Sequence, residues 1–271
     1  MQALAAWNDA APGLVGLIGR TGLPPTLDAA LGALAPFDLS CAFAYPGEQR
    51  PLLLHDNLGG VAPPEIMRNY LSGTYLLDAV YSACLRGAPE GLHRLSELAP
   101  DEFFGGDYYN SPDVHPCISM ETGSLAEEIV FLATPGDGLY VAYSLLRQAQ
   151  SGAFSKDEFA RLAAAAPLAT ALMRQHWRTL APPQPAPRIV DGEAVVERAF
   201  RTFAPAELTP REQTIVSLIL RGHSSLSIGN NLAIAEGTVK IHRKHIYAKL
   251  GISSQTELFN LFVRHILAER V

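Results

Sequence analysis

Apolar positions along the chain follow two different periods. From Phe37 to Tyr45, Pro51 to His55, Glu128 to Ala133 and Leu139 to Leu146 they form short runs that predict strands. Pro46-Gly47 supplies a turn between the first two, and Thr134-Pro-Gly-Asp-Gly138 is a hairpin signal between the last two. Helical spacing fills the first 35 residues and the stretch from Pro64 to Arg86. A further helix opens at Ser155, with Glu158 in the capping-box position, and carries Phe159, Leu162, Ala166, Ala169, Leu172 and Met173. Pro167 is expected to kink it. Helices, then hairpins, then a closing helix predict an α+β domain over residues 1–180, an antiparallel sheet with helices on its faces.

The stretch Ala181-Pro-Pro-Gln-Pro-Ala-Pro187 places four prolines in six residues, which favours extended polyproline II and marks a spacer. Residues 181–205 read as this linker plus a short connecting helix, and residues 206–271 as a four-helix module. Thr209 is an N-cap with Pro210 at the first helical position, and the first helix ends at Gly222. Ser224 and Ser225 cap a second helix through Leu232, and Ala233-Ile234-Ala235-Glu236 connects it to a third, Gly237 to Leu250. Gly251 ends the third, and Ser254 to Leu267 form a fourth. A tight turn between the second and third is helix-turn-helix architecture. On the third helix Val239, Ile246 and Leu250 share one stripe, which must face the core. Lys240, Ile241 and Lys244 lie opposite, beside the small Gly237 and Ala248, as a helix entering a major groove requires. The lysines suit phosphates or guanine edges, Ile241 a thymine methyl, and Thr238 a phosphate at the helix start. Ser224, Ser225 and His242 complete the expected DNA-contact set.

Charge supports this division. The 271 residues carry a net −6, which taken whole argues against a nucleic-acid partner. Residues 206–271 nevertheless hold eight Lys/Arg against five acids, a net of +3, which leaves −9 for the first 205. Cys41, Cys84 and Cys117 have no metal-ligand or disulfide spacing and read as reduced thiols of a cytoplasmic protein. No apolar run suggests export or a membrane span. His55, His93, His115 and His176 are scattered, and no nucleophile, metal or cofactor motif accompanies them, so an enzyme is not expected.

The last 65 or so residues resemble the LuxR-type (GerE/FixJ/NarL) DNA-binding domain. The matching positions are Leu208-Thr-Pro-Arg-Glu212, Gly222, Ser224, Ile228, Leu232, Thr238-Val-Lys240, His242, Ile246, Lys249-Leu250 and Thr256-Glu257-Leu258. The resemblance implies a transcriptional regulator acting as a homodimer, with the fourth helix as the dimer contact. Ser225-Leu226-Ser227-Ile228-Gly229 departs from that family's usual Asn-Lys-Glu-Ile-Ala, and Gly229 costs about 1 kcal/mol of helix propensity against Ala.

For the N-terminal domain, a phosphoacceptor receiver lacks its acidic pair and strand-end lysine, and no Gly-Lys pair exists for a nucleotide loop. A small-molecule sensor remains. Asn69-Tyr-Leu-Ser-Gly-Thr-Tyr-Leu-Leu-Asp78 resembles the Tyr…Tyr…Asp-Pro pattern of autoinducer-binding domains, which are α-β-α sandwiches. Ala79 replaces the proline, no Trp precedes Tyr70, and the spacing is tighter by one, which implies a "solo" regulator with a ligand other than an acyl-homoserine lactone. The expected ligand-binding residues are Tyr70, Tyr75, Asp78, Phe104, Tyr108 and Tyr109. Packing of the aromatics against the sheet, and a capping role for Asp78, stand as alternatives. Glu127 and Glu128 are expected to face solvent at a strand start. Were such carboxylates to line the pocket, an amine would be the effector. A regulator gated by a protein partner or constitutively active, its N-terminal domain a dimerisation scaffold, is the competing reading.

Overall fold

Strand β1 (Leu39–Pro46) is buried along its whole length, which requires cover on both faces of the sheet. It pairs antiparallel with β2 (Leu52–Asp56) and with β5 (Leu139–Gln148). Across the expected hairpin β5 pairs with β4 (Leu125–Gly136), and β4 with β3 (Gly91–Arg94), in the order β2-β1-β5-β4-β3. This computed structural model describes residues 2–47, 49–58, 67–68, 70–71, 75, 78–98, 125–180, 198–204 and 206–268.

Alternation along the strands sorts side chains into two cores. Cys41, Phe43, Tyr45, Val130, Leu132 and Leu146 meet Tyr70, Tyr75 and, from α3 (Ala79–Leu85), Val80, Tyr81 and Cys84. Ala44, Ile129, Phe131, Val141, Tyr143 and Leu145 face the other way. They pack on α1 (Gln2–Gly16), α2 (Leu23–Leu34) and α5 (Lys156–Trp177). The sheet is thus the middle layer of the expected α+β sandwich.

Local chemistry explains the departures. The helix expected from Pro64 to Arg86 is interrupted at Asp78, whose backbone is extended (φ −72, ψ 130) and whose carboxylate accepts from Val80 N to start α3 afresh. The first 35 residues make two helices, separated near Gly19 at φ 78. Strand β3 carries no alternation signal; it forms against the outer edge of β4 and leads into the one-turn α4 (Leu95–Leu98). Helix α5 has the capping box of Ser155 and Glu158 and runs through Pro167 as one helix. The hydroxyl of Thr170 donates to Ala166 O (2.9 Å) beside that proline.

The C-terminal helices are α6 (Pro210–Leu220), α7 (Ser225–Leu232), α8 (Glu236–Leu250) and α9 (Gln255–Ala268), within a few residues of expectation. Residues 198–202 form a helical turn on α9: the Phe200 and Phe203 rings lie 4.4 and 5.3 Å from Phe262. Thr202 Oγ1 is 2.8 Å from His265 Nε2, so the end of the expected linker packs on this module. Among the described residues, no helix is long and apolar enough to cross a membrane.

One buried cation locks β5 to its surroundings. Arg147 donates to Pro36 O (2.7 Å) and Ala153 O (3.2 Å) and pairs with both oxygens of Glu158 (2.6 and 3.1 Å). Its guanidinium also lies over the Phe154 ring at 4.2 Å. The hydrogen bonds from Arg147, then those from Ser155, hold the Glu158 carboxyl at about 2 against the opposing effect of burial. A depressed carboxyl stabilises the fold above its unfolded pKa and ceases to do so as pH falls. We expect Arg147→Met to cost about 3 kcal/mol in denaturant unfolding at pH 7, because it strands Glu158 and two carbonyls. The difference from wild type should shrink between about pH 4.5 and 2, where Glu158 takes up its proton.

Candidate functional site

The helix-turn-helix is built on a close backbone approach. Helix α7 starts at Ser224, whose hydroxyl accepts from Ser227 N (3.0 Å). It ends at Ala233 in the left-handed conformation (φ 52, ψ 45). Ile234 N then donates to Gly229 O (2.9 Å), folding the turn back over Gly229. A β-carbon at Gly229 would lie 2.8 Å from Ile234 O, so the glycine that weakens the helix also admits the turn. Arg211 fixes the end of α7 from α6 by donating to Leu232 O (3.1 Å).

Helix α8 follows from Ala235, an N-cap with no side-chain acceptor. Val239 and Ile246 are fully buried against Ile215, Val216, Ile219, Ile228 and Phe259, and Leu250 is half-buried. Thr238, Lys240, Ile241 and Lys244 are exposed, with Ile241 at 57 %, and His242 is half-buried. The expected DNA face therefore stands clear of the protein. Lys240 pairs with Glu236 (2.6 Å) one turn earlier, an exposed contact of small energy that DNA can replace. Lys249, the third lysine of α8 after Lys240 and Lys244, instead pairs with Glu212 at 2.7 Å. Burial would raise the Glu212 carboxyl, but the bonds from Lys249 and Thr209 prevail and hold it at about 2. Ser225 turns inward, buried, and accepts from Arg243 (3.2 Å), so its hydroxyl does not lie on the outer surface.

In the N-terminal domain Tyr70, Tyr75 and Asp78 come together, as the sequence suggested. Tyr70 OH donates to Asp78 Oδ2 (2.5 Å) while Val80 N donates to Oδ1 (2.7 Å), so the carboxylate caps α3 and holds a buried tyrosine at once. Tyr45, which sequence reasoning left in the strand, completes the cluster: its hydroxyl is 2.7 Å from that of Tyr70 and 3.5 Å from Asp78. Its place on the same side of β1 as Cys41 and Phe43 was the available signal. Burial, then the Asp78 charge, pushes the pKa of both tyrosines well above the ordinary value. Phe104, Tyr108 and Tyr109 lie outside the described residues.

The expectation for Glu127 and Glu128 is corrected, because β4 begins earlier than the apolar run suggested. Glu128 is fully buried on the sheet face that carries Val130, Leu132 and the tyrosine cluster. Glu127 pairs with Arg94 and accepts from Phe154 N (2.7 Å). On the opposite face Asp28 gathers the hydroxyls of Ser40 (2.7 Å) and Tyr143 (2.7 Å) and the Nε2 of His55 (2.8 Å). The Ser40 hydroxyl thus serves Asp28 and not His55, which gives a closed polar knot rather than a nucleophile.

An α-β-α domain followed by a capped helix-turn-helix with a basic outer face defines a bacterial transcriptional regulator. Residues 206–262 match the model for the family "Bacterial regulatory proteins, luxR family". The chain is 32 % identical over 198 residues to a helix-turn-helix-type transcriptional regulator of the exeN 3′ region of Aeromonas salmonicida. That alignment spans 72 % of this chain and 97 % of the relative. The nitrate/nitrite response regulator NarL of Escherichia coli K12 is 43 % identical over 51 residues, covering 19 % of this chain and 24 % of NarL. Among solved structures, the LBD domain of VqsR from Pseudomonas aeruginosa shares the fold, with a TM-score of 0.52 and 22 % identity over 63 % of this chain and 96 % of that one. The chain belongs to the LuxR family of bacterial regulatory proteins, and is a regulator with a LuxR-type DNA-binding domain rather than an enzyme.

The turn geometry makes a paired prediction. Ala233→Gly should raise stability by about 1 kcal/mol by relieving the left-handed strain. Gly229→Ala should lower it by about 1 kcal/mol despite its better helix propensity, because a backbone carbonyl must give way. Thermal unfolding of the two variants reads both signs.

Proposed function

We propose that the protein is a cytoplasmic, ligand-responsive regulator that binds an inverted-repeat operator as a dimer. Two copies of α8 would enter successive major grooves about 34 Å apart, with α9 forming the contact between the DNA-binding modules. The observation that carries this is the partition of α8: Val239 and Ile246 are fully buried while Thr238, Lys240, Ile241 and Lys244 are exposed. Lys240 and Lys244 serve phosphates or guanine edges, Ile241 a thymine methyl, and Thr238 and Ser224 the phosphates at two helix starts. His242 supports the face from its half-buried position.

In a salt titration, Lys240→Ala combined with Lys244→Ala should weaken DNA binding and reduce the slope of log K against log salt by up to about two phosphate-equivalents. An unchanged affinity and slope would refute the face assigned to α8.

The sensor half of the proposal places a small molecule against Tyr70, Tyr75 and Asp78, with Phe104, Tyr108 and Tyr109 contributed by the aromatic stretch. We assign the effector to the amines rather than the acyl-homoserine lactones. The support is chemical: Asp78 and Glu128 are both buried, on the same side of the sheet, in a net-acidic domain. Thermal-shift titration of the full-length protein with monoamines, diamines and amino-acid-derived amines should raise the melting temperature for at least one class. A melting temperature moved only by acyl-homoserine lactones, or by none of these compounds, overturns the assignment.

One observation favours the second reading, a domain gated by a protein partner or acting as a ligand-free scaffold. Asp78 already receives Tyr70 and Val80, so its carboxylate is satisfied from within the chain. Native mass spectrometry of protein purified from its host separates the two: a bound small molecule supports the sensor, and a bound polypeptide supports the alternative.

A further inference from the structure

Arg243 stands on the buried stripe of α8, four residues after Val239 and three before Ile246, where the periodicity calls for an apolar side chain. Its guanidinium reaches across two helix junctions. One nitrogen donates to Ser225 Oγ (3.2 Å), at the first residue of α7. The other donates to Gln255 Oε1 (2.8 Å), at the first residue of α9, with Tyr247 OH at 3.5 Å. Ser225 and Gln255 are both buried and Arg243 is half-buried, so these bonds are partly shielded from water.

The apolar contacts of α8 restrain it incompletely. Val239 and Ile246 are its fully buried residues, and a narrow apolar stripe resists withdrawal better than it resists rotation about the helix axis. Contacts to base edges tolerate errors of only about 0.5 Å and 10–20°. A cation in that stripe is a poor source of stability, because desolvation offsets its attraction, yet its directional bonds admit one rotation.

We propose that Arg243 is a positioning residue for DNA recognition: it sets the rotation of α8 against the starts of α7 and α9 and does not itself contact DNA. The proposal rests on α8 being the base-reading helix, for which Lys240→Ala combined with Lys244→Ala serves as the separate control.

The test uses the full-length protein and a duplex of about 30 base pairs, three helical turns, recovered by the wild type from a randomised pool. Affinity is measured across a salt series against this duplex and a scrambled one. Arg243→Met should weaken the selected duplex by about tenfold and the scrambled one much less, so that discrimination falls. The salt slope should stay that of wild type, because no phosphate contact is lost. Arg243→Lys should restore little of the discrimination, since one ammonium does not span both acceptors with the fork geometry. Should Arg243→Met fold poorly, Gln255→Leu and Ser225→Ala each remove one acceptor and keep the cation. Each should lower discrimination by about threefold at unchanged slope. A slope reduced by about one phosphate-equivalent in Arg243→Met means direct contact with DNA and overturns the proposal. So does unchanged discrimination in the folded variants, which would leave Arg243 a purely structural pin.

Discussion

Strands β1, β4 and β5 carry apolar cover on both faces, so between the register shifts of β4 the side of each residue is decided by parity. A slip of one position would exchange the two cores and carry Tyr45 and Glu128 away from Tyr70 and Asp78. The polar groups obey the same constraint. Asp28, Ser40, His55 and Tyr143 meet on one face, and Asp78 with Tyr45 and Tyr70 on the other, so neither carboxylate is left without donors. Arg147, held by Glu158 and two carbonyls, fixes the register of β5 against α5 from outside the ladder.

The C-terminal module meets a different demand, since its working helix must expose most of its surface. Its polar ties compensate for a narrow buried stripe. Lys249 joins the end of α8 to Glu212 on α6, and Arg243 joins its middle to α7 and α9. Of the three lysines of α8, one is thereby a structural element, and Lys240 and Lys244 remain on the outer face. The turn replaces the more permissive order of residues with an alanine at positive φ and a glycine inside the helix. That choice concentrates strain where α7 hands over to α8.

Local signals made much of this legible. Thr209 with Pro210, Ser155 with Glu158 and the Ser224-Ser225 pair are short-range start signals, and each marks a helix start within a residue. The hairpin between β4 and β5 follows from its Gly-Pro-rich turn. What escaped were features set by distant partners. Strand β3 exists because β4 offers an edge, and although a cap at Asp78 is one of the readings open in the sequence, its bond to Tyr70 is not visible locally. Tyr45 joined the cluster only through strand parity. Arg243 was hidden because an arginine beside two lysines reads as part of a basic face, although its spacing from Val239 and Ile246 placed it on the inner stripe. Glu128 was misjudged for a similar reason: an acid at the edge of an apolar run looks solvated until the pairing extends past it.

On the proposed sensor reading, the hydroxyl of Tyr70 on Asp78 is a built-in competitor for the effector. A molecule that engaged that carboxylate would first have to match an internal hydrogen bond between buried groups, so only the surplus over it would count toward occupancy. Tyr70 would therefore act as a threshold. If the proposed sensor reading holds, weak mimics that present a single poor donor would gain nothing, and the concentration needed for a response would be set by a residue that never leaves the protein.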